Sequence, residues 1–177
     1  VTAEALVQRA TQALRAGAAQ EAIAAIESAP SAQRNTQMAQ RTLAAAHAQN
    51  GDLAAAQLAI NRALTATPIE PATRALAGRI ALDLKQPANA FVHFEVLVQL
   101  APQQMGFWRY LWDAATTEST ARRALRLGES LKFDASADIH VAWAVTRALA
   151  DDGRVSDALA LAEQTVKRHS DSSAAHW

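Results

Sequence analysis

A spacing of 34 residues runs through this chain and limits what it can become. Ala22, Ala56, Ala90, Ala124 and Ala158 stand one such step apart. Gly17, Gly51 and Gly153 follow the same rhythm, and Pro68 and Pro102 repeat it once. Alanine alone would prove little in so Ala-rich a sequence. Matched glycines and prolines mark recurring turns and stops, and a fixed period of this length is the sign of stacked supersecondary units.

The local signals between these marks are helical. Thr2 is placed to cap a helix running to Leu14, with Leu6, Ala10, Ala13 and Leu14 on one face. Gly17 suits the left-handed turn that ends it, and a second helix is expected over about 19–28, carrying Ala22, Ile23 and Ile26 inward. Pro30 closes this pair, and the polar stretch 30–36 reads as a loop. Thr36 then caps a helix to Gln49, Asn50-Gly51 turns, Asp52 caps the return, and Thr67-Pro68 stops it. In the third pair Pro71 begins a helix, Gly78 lies within it, Gln86-Pro87 replaces the glycine turn, and Ala90, Phe91, Phe94 and Leu97 form a buried stripe. The fourth opens on the aromatic cluster 107–112, turns at about 117–119, and returns to about Phe133. The fifth runs from about Ala137 to Asp151, turns at Asp152-Gly153, and returns from Val155 to Arg168. Trp177 follows Trp143 by one period, so 173–177 read as the start of a truncated sixth.

Composition narrows the chemistry. Seventeen basic residues balance seventeen acidic ones, which argues against a general polyanion surface. The absence of cysteine removes disulfides, thiol catalysis and thiolate metal sites. None of the five histidines pairs at the i,i+4 spacing of a helical metal site. The sequence offers no nucleophile motif, phosphate-cradling loop or acid/base pair. No cofactor, metal or catalytic residue is therefore expected, and the chain reads as a non-enzyme. No apolar run approaches the ~18 residues needed to cross a bilayer.

The pattern resembles the tetratricopeptide repeat (TPR) family, whose 34-residue helix-turn-helix reads Trp-x2-Leu-Gly-x2-Tyr…Ala-x3-Phe…Pro. Leu43, Ala56, Ile60, Ala63 and Pro68 match it in repeat two; Gly78, Ala90, Phe94 and Pro102 in repeat three; Trp108, Leu111 and Ala124 in repeat four; and Gly153 and Ala158 in repeat five. The resemblance implies an all-α fold, an α-solenoid of antiparallel helix pairs in a right-handed superhelix. It divides residues 1–177, as a single array, into repeats at about 3–36, 37–70, 71–104, 105–138 and 139–172. Repeat four departs, with Trp112 at a small-residue position and Gly128 at a large one, an exchange expected to keep the volume filled. Repeat one lacks the Leu-Gly pair and has Arg9-Ala10 instead.

In such arrays the first helix of each pair lines a concave groove for a peptide or partner protein. Projected onto this chain, groove positions include Glu4, Val7 and Thr11; Met38, Arg41 and Ala45; Ala75, Arg79 and Leu82; Gly106, Arg109 and Asp113; and His140, Trp143 and Arg147. Arg41, Arg79, Arg109 and Arg147 recur on successive first helices. Either they grip carboxylates or backbone carbonyls of a bound segment, or they are surface arginines paired to Asp83, Asp113 or Asp151. The Lys-x3-Asn arrangement by which some TPR domains hold a chaperone's C-terminal carboxylate is absent, Val7 and Thr11 standing there instead. Trp108 and Trp112 are expected in the core, and Trp143, one position off that register, is expected to be exposed. His47, in place of the family's tyrosine, is expected to be partly buried.

The resemblance further implies a protein or peptide partner, while balanced charge and the lack of a long apolar run argue against nucleic acid and membrane insertion. It points to a scaffold in a bacterial envelope export or exopolysaccharide secretion machine; low charge and absent cysteine favour the periplasm or cell envelope, with the cytoplasm as the alternative. A docking arm of a multidomain transferase and a helical-repeat RNA reader are the alternatives. The missing polar cap after the last helix suggests continuation into further repeats, or a homo-oligomer through that face.

Overall fold

A computed structural model describes residues 2–170; the expected start of a sixth repeat lies outside them. Among the described residues there are eleven α-helices, one short 3-10 turn and no strand. The chain divides into two compact parts at Gln86–Pro87.

In the first part α1 (Ala3–Arg15) pairs with α2 (Ala19–Glu27), and α4 (Gln37–Gln49) pairs with α5 (Leu53–Ala66), with α6 (Pro71–Asp83) stacked on both α4 and α5. The stretch expected as a loop after Pro30 is instead a one-turn helix, α3 (Ser31–Arg34). Proline's fixed φ suits a helix entrance, and the Pro30 carbonyl accepts the backbone N–H groups of Gln33 and Arg34. The hairpins lean on one another through small residues: Ala10, Ala22, Ala39, Ala44, Ala46, Ala56 and Ala63 are fully buried, interleaved with Ile26, Leu43 and Ile60. His47 is partly buried in this packing, with its Nε2 4.0 Å from a Glu27 carboxylate oxygen.

In the second part α7 (Pro87–Leu100) packs on α8 (Met105–Ala114), α8 on α9 (Glu118–Ser130), and α10 (Ile139–Asp151) on α8, α9 and α11 (Val155–Arg168). Phe91, Phe94, Leu97, Trp108 and Leu111 form its centre, each no more than 1% exposed. Trp108 is core, as expected. Its indole nitrogen donates to the Pro102 carbonyl at 2.8 Å, and its ring stacks on Phe133, so the buried polar atom is satisfied.

Two regularities explain the helix boundaries. The residues before the first helices, Thr2, Thr36, Glu70, Gln104 and Asp138, are one period apart, and all but Gln104 accept a backbone N–H through the side chain. Four of the five turns after the first helices use a left-handed residue that lets two backbone N–H groups reach back to carbonyls of the last turn. Gly17, Gly51 and Gly153 fill this place with φ of 78°, 84° and 80°. In the third pair the strained residue is Lys85, at φ 58°, rather than Gln86-Pro87. Its N–H donates to Leu82 and that of Gln86 to Ala81, as those of Gly51 and Asp52 donate to Ala48 and His47. Lys132, at φ 52°, closes α9 in the same way, so that helix ends at Ser130 and not near Phe133.

Repeat four is irregular. α8 has 10 residues where α1, α4, α6 and α10 have 13. The turn falls at 115–117 and not 117–119, because Thr117 and Thr120 form a reciprocal capping box that starts α9 at Glu118. The fifth pair opens two residues later than expected: a 3-10 turn at Ala135–Ala137 precedes Asp138, which caps α10 through Val141 N–H.

Candidate functional site

Two helices of the second part build the site. On α8, Arg109 and Asp113 are one turn apart; on α10, His140, Trp143 and Arg147 follow i, i+3, i+7 spacing and so share a face. Together they line an open cavity of about 670 Å³, whose walls include Trp112 and Ile139. Its size lies in the range of ligand clefts. Trp143 is 45% exposed, as its register implied, and the Arg147 guanidinium carbon sits 4.9 Å from its ring centroid. This cation–π pair presents a flat amphipathic plate to solvent.

Charge in the cavity is shared unevenly. Arg109 donates through Nε to Asp138 at 2.7 Å, with a second, shorter contact from its terminal nitrogen. Burial works against the Asp138 carboxylate. The hydrogen bonds from Arg109 and from Val141 N–H outweigh that, with the Arg109 and His140 charges adding, and its pKa lies below the ordinary value. The same bond, ahead of the Asp138 and Asp113 charges, raises that of Arg109. Asp113 goes the other way. Although its side chain is exposed, the concave walls remove enough water to raise its pKa, against the opposing pull of His140 and Arg109. Arg147 makes no ion pair among the described residues.

The structure thus gathers Arg109, Asp113, His140, Trp143 and Arg147 on one surface. Arg41 and Arg79 belong to the first part of the chain. Arg79 is exposed. Arg41 pairs with Glu70 at 3.1 Å, and Glu70 also accepts the N–H of Ala72 and of Thr73 and the Thr73 hydroxyl proton. Burial raises the pKa of Glu70, but these bonds and the Arg41 charge bring it below the ordinary value. Of the aspartates expected as arginine partners, Asp83 and Asp151 are exposed and hold neither Arg41 nor Arg109. Asp113 acts on Arg109 only as a nearby charge. The actual partners, Glu70 and Asp138, are the caps of the following repeats, each 29 residues after its arginine. Sequence reading missed both, although the period from Thr2 through Thr36 and Gln104 marks their places.

The expected exchange of Trp112 for Gly128 does not fill its volume. Trp112 and Gly128 border a common cavity of about 260 Å³ between α8, α9, α10 and α11. Trp112 is only partly buried, and its indole nitrogen is shielded from solvent without an acceptor. No cluster of three or more metal-ligating side chains occurs among the described residues. No helix among them is long and apolar enough to cross a membrane.

No protein-family model matches this sequence, and no curated protein is significantly similar to it. Solved structures are similar in fold. YrrB, described as a TPR protein with an unusual peptide-binding site, aligns with a TM-score of 0.77 at 15% identity, over 96% of this chain and 88% of its own. MamA aligns with 0.76 at 11% identity, over 95% and 92%. A double mutant of MamA from RS-1 aligns with 0.75 at 17% identity, over 97% of both chains. At such identities the likeness is one of architecture, and it covers nearly the whole chain: this protein has the all-α tetratricopeptide-repeat solenoid fold.

Proposed function

We infer that this chain is a non-enzymatic scaffold that holds an extended segment of a partner protein against α8 and α10. The observation that carries this reading is the exposed Trp143–Arg147 plate beside Asp113 and His140 in an open cavity. Exposed tryptophan and arginine are the residues that dominate binding energy at protein interfaces. The plate offers an apolar face for a side chain and a guanidinium edge for a carboxylate or a backbone carbonyl. Arg79 and Arg41 extend the same chemistry to the first part of the chain in this proposal, Arg41 with less freedom because Glu70 already holds it. YrrB's description as a peptide binder supports a peptide or protein partner.

The test is selection from a displayed random-peptide library on the wild-type chain, followed by direct affinity measurement on Trp143→Ala and Arg147→Ala. Selected peptides should lose about tenfold or more in affinity to either variant. Enriched peptides that bind both variants as tightly as wild type would remove the groove assignment.

Three broader readings belong to this proposal. One is the single array over residues 1–177. Another is a place in a bacterial envelope export or exopolysaccharide machine, resting on low charge and the absence of cysteine; the transferase docking arm is its competitor. A fusion of the full-length gene to a phosphatase active only outside the cytoplasm tests the compartment. Balanced charge weighs against the RNA reader.

A further inference from the structure

The cavity bordered by Trp112 and Gly128 shares only Trp112 with the groove and has its own chemistry. Its origin is a break in the repeat. At the position where Ile26, Ile60 and Phe94 fill the core of earlier repeats, each no more than 2% exposed, repeat four has Gly128. A methyl group placed there would meet only the Trp108 ring, at 4.0 Å. Where that side chain is missing lies an open pocket of about 260 Å³, whose apolar walls include Trp108, Trp112, Ala124, Val145 and Leu161. It opens to solvent on the side of Glu129, Lys132 and Arg154, and its volume is that of about one aromatic ring with room to spare.

One polar feature is unspent. Four charged residues line the cavity. Arg154 is bound to Glu129 and Asp157, and Asp134 to Arg168 and Ser136. Among the described residues Lys132, alone of these four, has no opposite charge. Its side chain is exposed, which puts it at the mouth.

From this we propose that the cavity is a binding site for a small monocyclic aromatic acid. The ring takes the place of the absent side chain between the tryptophans, where aromatic stacking adds to burial. The carboxylate is held at the mouth by the Lys132 ammonium. The volume sits below the usual range for drug-sized ligands, which restricts the occupant to about one ring.

The probe is phenylacetate, titrated calorimetrically into the 177-residue chain, with benzyl alcohol (ring without charge) and acetate (charge without ring) alongside. Phenylacetate should bind with a dissociation constant of about 1 mM or tighter, as its size permits. Benzyl alcohol should bind several-fold more weakly and acetate not measurably. Gly128→Leu should abolish binding while leaving helicity intact, and Lys132→Gln should reduce phenylacetate to the level of benzyl alcohol. Should Gly128→Leu fail to fold, Gly128→Ala reads the same point: lower affinity with an unlowered melting temperature supports the site. No saturable heat from phenylacetate, equal binding of acetate or of benzyl alcohol, or unchanged affinity in a folded Gly128 variant would each overturn it. Because no groove residue is altered, failure here leaves the peptide-scaffold reading untouched.

Discussion

Lys85 occupies the left-handed conformation that glycine fills in the matching turns of repeats one, two and five, and this gives a stability experiment with its sign fixed in advance. Gly17, Gly51 and Gly153 adopt φ near 80°, and Lys85 and Lys132 sit at 58° and 52° in equivalent turns. An L-residue in this region costs about 1–2 kcal/mol. Glycine avoids that but loses more chain entropy on folding, by about 0.4–1 kcal/mol. The difference predicts that Lys85→Gly stabilises by about 0.5–1 kcal/mol, and that Gly51→Ala destabilises by a similar amount. A side chain at Gly51 would meet nothing within 4 Å, so the alanine variant reports backbone strain and not collision. For a chain of this length such changes move the melting temperature by about 2–4 °C per kcal/mol. Urea unfolding followed by circular dichroism is the better assay, because an unchanged slope shows that the midpoint shift is a change in stability. A Lys85→Gly midpoint at or below wild type, with Gly51→Ala unaffected, would refute the argument that the turn's conformation, and not the lysine side chain, sets the cost.

Ala56→Leu should destabilise by about 1–3 kcal/mol, since Ala56 is fully buried where helices approach closely; a urea midpoint equal to wild type would contradict the small-residue contact. Arg109→Ala should cost about 1–3 kcal/mol, and Arg41→Ala distinctly less. The reason is that the Asp138 side chain is 6% exposed and loses its main partner, whereas that of Glu70 is 32% exposed; equal losses in a pair of urea titrations would show that burial of the carboxylate is not what matters. Glu70 and Asp138 both have pKa values lowered on folding, so their contribution is complete above the ordinary 4.5 and 3.8 and disappears as pH falls through the lower folded values. The double variant Glu70→Gln, Asp138→Asn should accordingly flatten the loss of stability between about pH 5 and pH 3; an acid limb as steep as wild type would show that other carboxylates drive it.

Much of this architecture is written locally. The step from Ala22 to Ala56, Ala90, Ala124 and Ala158 places small residues where helices must touch, and all five are buried. Thr2, Thr36 and Asp52 cap the helices they were expected to cap. Glycine at 17, 51 and 153 acts through φ, and proline at 68, 71 and 102 through its fixed φ, its missing N–H and its clash with the preceding residue, all within a few residues of themselves, which is why a sequence reveals them. Trp143 was legible for a related reason: one position off the buried register on a helix points a ring away from the core.

What the chain order conceals is contact between successive repeats. The partners of Arg41 and Arg109 lie 29 residues onward, and only the stacking of one hairpin on the next brings a guanidinium to the cap of the following helix. The early turn at 115–117 shortens α8. No composition rule distinguishes a filled exchange of Trp112 for Gly128 from one that leaves a cavity. Periodicity is a property of backbone conformation, fixed residue by residue, and the sequence by itself determined it here. Which charges are neutralised and which volumes stay empty depends on three-dimensional packing between elements, and the tertiary structure alone decided those.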